Sequence, residues 1–155
     1  MNASLAAVNV EADCERVLRS LPLWFGQEDS VVRYVQDTSR LPTLITTAGD
    51  AINGFVTLRQ HFPQSYEISC IAVHAHSRGK GCGRALLQGA ADWASARGGR
   101  FLQVKTLAPT HPSPEYAQTR GFYERIGFVP LEIFPTLWSA QHPCLQMIKW
   151  LPKNE

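Results

Sequence analysis

The chain has 155 residues, a formal charge of +2 and a hydrophobic share of 45%. These values fit one domain over residues 1–155 with a core of its own, and they exclude a disordered or fibrous chain. The charge is too small and the basic residues too dispersed for an extended nucleic-acid interface, and no apolar run is long enough to span a bilayer.

The four cysteines, Cys14, Cys70, Cys82 and Cys144, stand far apart with no paired spacing. Neither a zinc site nor a disulfide framework is expected, and no metal. Residues 1–10 lack the basic start and apolar stretch of a secretory signal, so a reducing, cytoplasmic setting is expected. Residues 5–8 read as a short strand. Residues 11–20 read as a helix with Cys14, Val17, Leu18 and Leu21 on one face. Pro22 to Gly26 interrupt it, and residues 27–38 read as a second helix with Glu28 and Asp29 in its first turn. Residues 43–48 and 52–60 are β-rich runs around Gly49-Asp50, which predicts a hairpin. Residues 67–74 form the next strand, residues 83–97 a helix stopped by Gly98-Gly99, and residues 101–107 another strand. A Pro/His-rich loop leads to a helix over 115–126, and strands over 128–134 and 144–151 complete the chain. A helix crossing between two strands predicts at least one parallel pair in a mixed α/β sheet with helices on its faces.

The densest chemistry lies between the strand ending at Val73 and the helix that follows. Glycines stand at 79, 81 and 83, with Arg78, Lys80 and Arg84 among them. A helix start leaves its first N–H groups unpaired and carries partial positive charge, while glycine lets the backbone approach a phosphate closely. The nucleoside-triphosphate template needs Ser or Thr after its lysine, but Gly81 follows Lys80. The dinucleotide template needs a third glycine or alanine that Arg84 or Leu86 occupies instead. A third template, Gln/Arg-x-x-Gly-x-Gly/Ala, is matched fully by Arg78-Gly79-Lys80-Gly81-Cys82-Gly83.

With that loop, the strand Glu67-Ile68-Ser69-Cys70-Ile71-Ala72-Val73 before it and Arg120-Gly121-Phe122-Tyr123 through Gly127-Phe128 after it, the chain resembles the GNAT superfamily of N-acetyltransferases. The resemblance implies a mixed, mostly antiparallel twisted sheet of about six or seven strands flanked by about four helices. It implies acetyl-CoA as acyl donor, held at the pyrophosphate by residues 78–84 and at the pantetheine by the backbone of Ile71, Ala72 and Val73. The acceptor it implies is an amine, on a small molecule or a protein. The superfamily often has an asparagine two turns before its tyrosine; Tyr116 stands there in this chain.

Catalytic roles follow from the chemistry of amine acylation. An alkyl amine has a pKa near 10.4, so only about one in 10³ is neutral at pH 7, a cost of roughly 4–5 kcal/mol. A base or a water relay is therefore useful. Glu67 is the candidate, since strand periodicity puts Glu67, Ser69, Ile71 and Val73 on one face; His74 and His76 are alternatives. Tyr123 matches the superfamily's general acid, protonated at neutral pH and able to protonate the leaving thiolate. Cys82 is expected as a small spacer. Trp24 and Phe25 are candidates to line the acceptor pocket, with core packing as their alternative role, and His111 is a candidate acceptor contact. A CoA-binding module without catalysis is the competing reading. The C-terminal strands are the candidate face for a homodimer.

Overall fold

The computed structural model describes residues 2–6 and 9–153. Among them seven strands form one sheet in the order β1-β2-β3-β4-β5-β7-β6, with four α-helices. The elements are β1 (Ser4–Leu5), α1 (Glu11–Arg19), α2 (Glu28–Arg40), β2 (Thr43–Ala48), β3 (Ala51–Phe62), β4 (Ser65–Val73), α3 (Cys82–Ala96), β5 (Phe101–Leu107), α4 (Pro114–Ile126), β6 (Val129–Ser139) and β7 (His142–Trp150). All neighbours are antiparallel except β4 and β5, so the expected parallel pair lies across the α3 crossover. The expected strand over 5–8 is represented by β1, and residues 7 and 8 lie outside the described residues. Strand β6 runs five residues further than expected, passing Pro135 to reach Ser139; as an edge strand it tolerates the missing N–H. That edge exposes Val129, Leu131, Leu137 and Trp138, and the expected dimer face falls on it.

Two buried clusters sandwich the sheet. One joins Val56, Leu58, Ile68, Leu102, Val104, Leu145 and Met147 to Leu86, Leu87 and Ala90 of α3, and includes Tyr123 of α4. The other joins Phe55, Cys70 and Ala72 to Cys14, Val17 and Leu18 of α1 and Val31 of α2. β4 therefore contributes Ile68 to one cluster and Cys70 to the other, although they are two residues apart. The pairing with β3 explains this. Thr57 faces Cys70 but Leu58 faces Ile68, so Ser69 is an extra residue in β4. A bulge of this kind moves later side chains to the opposite face. This corrects the expectation that Glu67 shares a face with Ile71 and Val73. Glu67 points to the α1–α2 face, whereas Ile71 and Val73 pack against the α3 cluster.

Candidate active site

β4 and β5 pair only from Ser65 to Ile68 against Phe101 to Val104, and then part. Beyond that point β4 stays with β3 and β5 with β7. His74 N–H donates to the Asn53 carbonyl at 2.8 Å, one position beyond the facing pair Gly54 and Val73. Bonded and non-bonded pairs alternate in an antiparallel ladder, so Ile71 and Val73 direct N–H and C=O away from β3 into the gap. Thr106, on the departing part of β5, is 4% exposed and its hydroxyl has no hydrogen-bond partner. The gap thus has unpaired backbone on one side and an orphaned hydroxyl on the other.

The Gly-rich loop stands at the head of this gap. Gly81 caps α3 in the left-handed region at φ 87°, and Gly79 is also left-handed at φ 76°. A Cβ at either would meet nothing within 4 Å, so both backbones are open to approach. Alternating left-handed residues at a helix start turn successive N–H groups into one concavity. Gly83 is required by packing instead, since a Cβ there would sit 2.9 Å from the Phe122 ring and its absence lets α4 close on α3. Cys82 is buried, with its thiol directed to the Ser77 carbonyl at 3.7 Å and accepting from Asn53 Nδ2 at 3.5 Å, which suits a spacer.

α4 lies across the gap, fastened by Arg120 Nη1 donating to the Leu107 carbonyl at 2.6 Å. Ser113 caps it and accepts from Tyr116 N–H, and left-handed Gly127 ends it. Tyr116 and Tyr123 are two turns apart on one face. Tyr123 is 4% exposed, ringed by Phe122 and Phe128, and its hydroxyl has no protein partner among the described residues. Tyr116 donates its hydroxyl hydrogen to the Trp24 carbonyl at 2.9 Å. Trp24 Nε1 in turn donates to Thr119 Oγ1 at 3.1 Å, and the Arg78 guanidinium stacks 4.2 Å over its ring. Trp24 therefore ties the α1–α2 connection to both α4 and the Gly-rich loop, roofing the gap.

These parts enclose a cleft of about 1620 Å³. Its lining includes Ile71, Ala72, Val73, Tyr123, Trp24 and Phe25, and every residue from 78 to 84 except Lys80, whose side chain is exposed. His74 and His76 do not line it; their rings meet edge to face at 5.1 Å, and His74 caps the turn after β4. Glu67 lies in an adjoining depression of about 230 Å³ on the α1–α2 face, which shares Arg33, Tyr34, Ser69 and Lys105 with the cleft. Both of its carboxylate oxygens are engaged, Oε1 with His61 Nε2 at 2.7 Å and Oε2 by Lys105 Nζ at 2.9 Å.

A family model for the acetyltransferase (GNAT) domain matches residues 40–130, more than half of the chain. The chain belongs to the GNAT acetyltransferase family. Solved structures repeat the fold over the whole GNAT chain. A GNAT-family protein from Desulfovibrio desulfuricans superposes with a TM-score of 0.82 at 22% identity, covering 97% of this chain and 98% of that one. The aminoglycoside 6'-N-acetyltransferase from Enterococcus faecium gives 0.77 at 17% identity, over 100% and 99%. YncA from Salmonella typhimurium, solved with its cofactor acetyl-CoA, gives 0.69 at 16% identity, over 100% and 97%. At these identities the likeness is one of fold. No curated protein sequence matches the chain. Among the described residues no helix of this GNAT protein is long and apolar enough to cross a membrane.

Sequence reasoning missed Lys105, Arg33 and Tyr34 as residues of the GNAT cleft. Lys105 alone left a signal, as the one charged residue of its strand. The buried phenols have a measurable consequence. Burial, with Tyr34 and Cys70 nearby, pushes Tyr116 from the usual 10 up to about 12, and burial raises Tyr123 and Tyr34 as well. Groups held protonated by the fold stabilise it fully below their unfolded pKa and lose that contribution as pH rises through the folded values. Burial raises the thiols of Cys14, Cys70 and Cys144 from their usual 9 in the same way, so the urea midpoint of this GNAT domain should be level up to about pH 9 and drop steeply by about pH 12.

Proposed function

We propose that this chain transfers the acetyl group of acetyl-CoA to an amine by direct attack, with Tyr123 as general acid and Glu67 at the head of a proton relay. The observation that carries the reading is the arrangement of these groups on opposite faces of the sheet beside one gap. Glu67 lies on the α1–α2 face, Tyr123 in the α3–α4 cluster, and Val73 N–H between them. An amine entering from one face and a thiolate leaving toward the other need that arrangement.

The residues fit acetyl-CoA in three places. The left-handed glycines and the α3 N–H groups suit the pyrophosphate, with Arg78 and Arg84 beside them. The unpaired edge of β4 and the orphaned Thr106 hydroxyl suit the amides of pantetheine. Bound there, acetyl-CoA supplies an activated thioester. Val73 N–H is a fixed donor aimed where the carbonyl oxygen gains charge. The free Tyr123 hydroxyl gives its proton to the departing sulfur, and burial keeps the phenol protonated until then. Glu67 accepts the ammonium proton through a water, and His61, at 2.7 Å from it and 36% exposed, passes the proton to solvent.

Glu67→Gln keeps the size and the Lys105 hydrogen bond but removes the proton acceptor. It should lower kcat about tenfold or more, with the loss largest below neutral pH where the free amine is scarcest. Acetyl-CoA turnover against an amine panel, followed by thiol release and by the mass of the product, tests both this and the activity itself. Unchanged turnover in Glu67→Gln would assign the base role to water alone.

A further inference from the structure

The charges at the acceptor end are arranged for an anion, and this specifies the substrate class within the acetyl-transfer reading on which it rests. The depression beside the cleft is lined by three cations, Arg33, Arg59 and Lys105, and two carboxylates, Asp37 and Glu67. Both carboxylates are already matched. Asp37 is buried and pairs with Arg59 at 3.8 Å. Glu67 holds Lys105 at 2.9 Å and His61 at 2.7 Å. Arg33 has no carboxylate partner among the described residues; its guanidinium rests against the Tyr34 ring at 5.6 Å. Lys105 spends one of its three ammonium hydrogens on Glu67, which leaves donors for a ligand.

The main cleft repeats the imbalance. Among its described lining residues Asp29 is the only carboxylate, against Arg33, Arg78, Arg84, Lys105 and Arg125. Arg78 and Arg84 belong to the Gly-rich loop, and Arg125 sits on the last turn of α4. Arg33 and Lys105 are the two cations common to the cleft and the depression. An acceptor carrying several positive charges would find no unmatched carboxylate there except exposed Asp29. An acceptor carrying a carboxylate would find a planar five-donor fork in Arg33 and a second cation in Lys105.

We propose that the acceptor is a primary amine bearing a carboxylate, with that carboxylate seated between Arg33 and Lys105 while its amine reaches the thioester in the main cleft. Arg33 and Lys105 then set specificity, and Glu67 doubles as the anchor that holds Lys105 in place.

Matched acceptors test this with the full chain and acetyl-CoA: alanine against alaninamide, β-alanine against β-alaninamide, and 1,4-diaminobutane. The carboxylate member should exceed its amide in kcat/KM by at least about tenfold, carried by KM. Arg33→Ala should pull that ratio toward unity, and Arg33→Lys should restore part of it; the wild-type-to-variant comparison cancels the difference in amine basicity. Preference for the amides or the diamine, or an Arg33→Ala loss equal on both members of a pair, overturns the carboxylate site while leaving acetyl transfer standing. If no member turns over, the melting temperature of the CoA complex decides. A rise with N-acetyl-β-alanine that Arg33→Ala abolishes supports the anion site and rejects the transferase reading, and no rise overturns both.

Discussion

Tyr123→Phe should lower kcat by about 10²- to 10³-fold and leave the affinity for acetyl-CoA nearly unchanged. The substitution removes one oxygen that makes no hydrogen bond to the protein and keeps the ring that packs against Phe122 and Phe128. Folding therefore loses little, and the effect reads chemistry rather than packing. Burial holds this phenol well above the usual tyrosine range, so wild-type activity should show no alkaline fall from Tyr123 within the range where the protein is folded. A single-turnover measurement with saturating acetyl-CoA isolates the step. A variant with wild-type kcat would make Tyr123 a packing residue.

Gly81→Asp should weaken acetyl-CoA binding by about 10²-fold or more, roughly 3 kcal/mol, with the fold retained. Aspartate tolerates the left-handed region better than most residues, and a Cβ at Gly81 meets open space. The new carboxylate would stand at the start of α3, where a pyrophosphate needs positive potential. Calorimetry with CoA measures the loss, and circular dichroism confirms that α3 persists. Unchanged affinity would place the pyrophosphate elsewhere.

What the sequence made legible, and what it did not, follows from the range of each interaction. The Gly-rich loop was readable because its requirement is local: φ values of 76° and 87° at Gly79 and Gly81 demand glycine wherever the chain goes next. The tyrosine helix was readable through the Pro/His-rich loop before it and the Gly127-Phe128 pair after it, whereas its Ser113 cap was not singled out. The bulge at Ser69 was not, because burial in β4 alternates straight through it while the faces exchange. Only the register with β3 reveals that Glu67 and Val73 look in opposite directions. The Glu67–Lys105 and Arg78–Trp24 contacts join residues 38 and 54 positions apart, and no short-range pattern predicts such pairs.

All of these roles require acetyl-CoA to enter the gap between β4 and β5 with its reacting end between Glu67 and Tyr123. A crystal structure of the acetyl-CoA complex tests this most directly. It should show the pyrophosphate on the N–H groups of residues 79–84, the thioester oxygen on Val73 N–H, and the sulfur within about 3.5 Å of the Tyr123 hydroxyl. Pantetheine lying outside the gap, or a sulfur turned away from Tyr123, would contradict it.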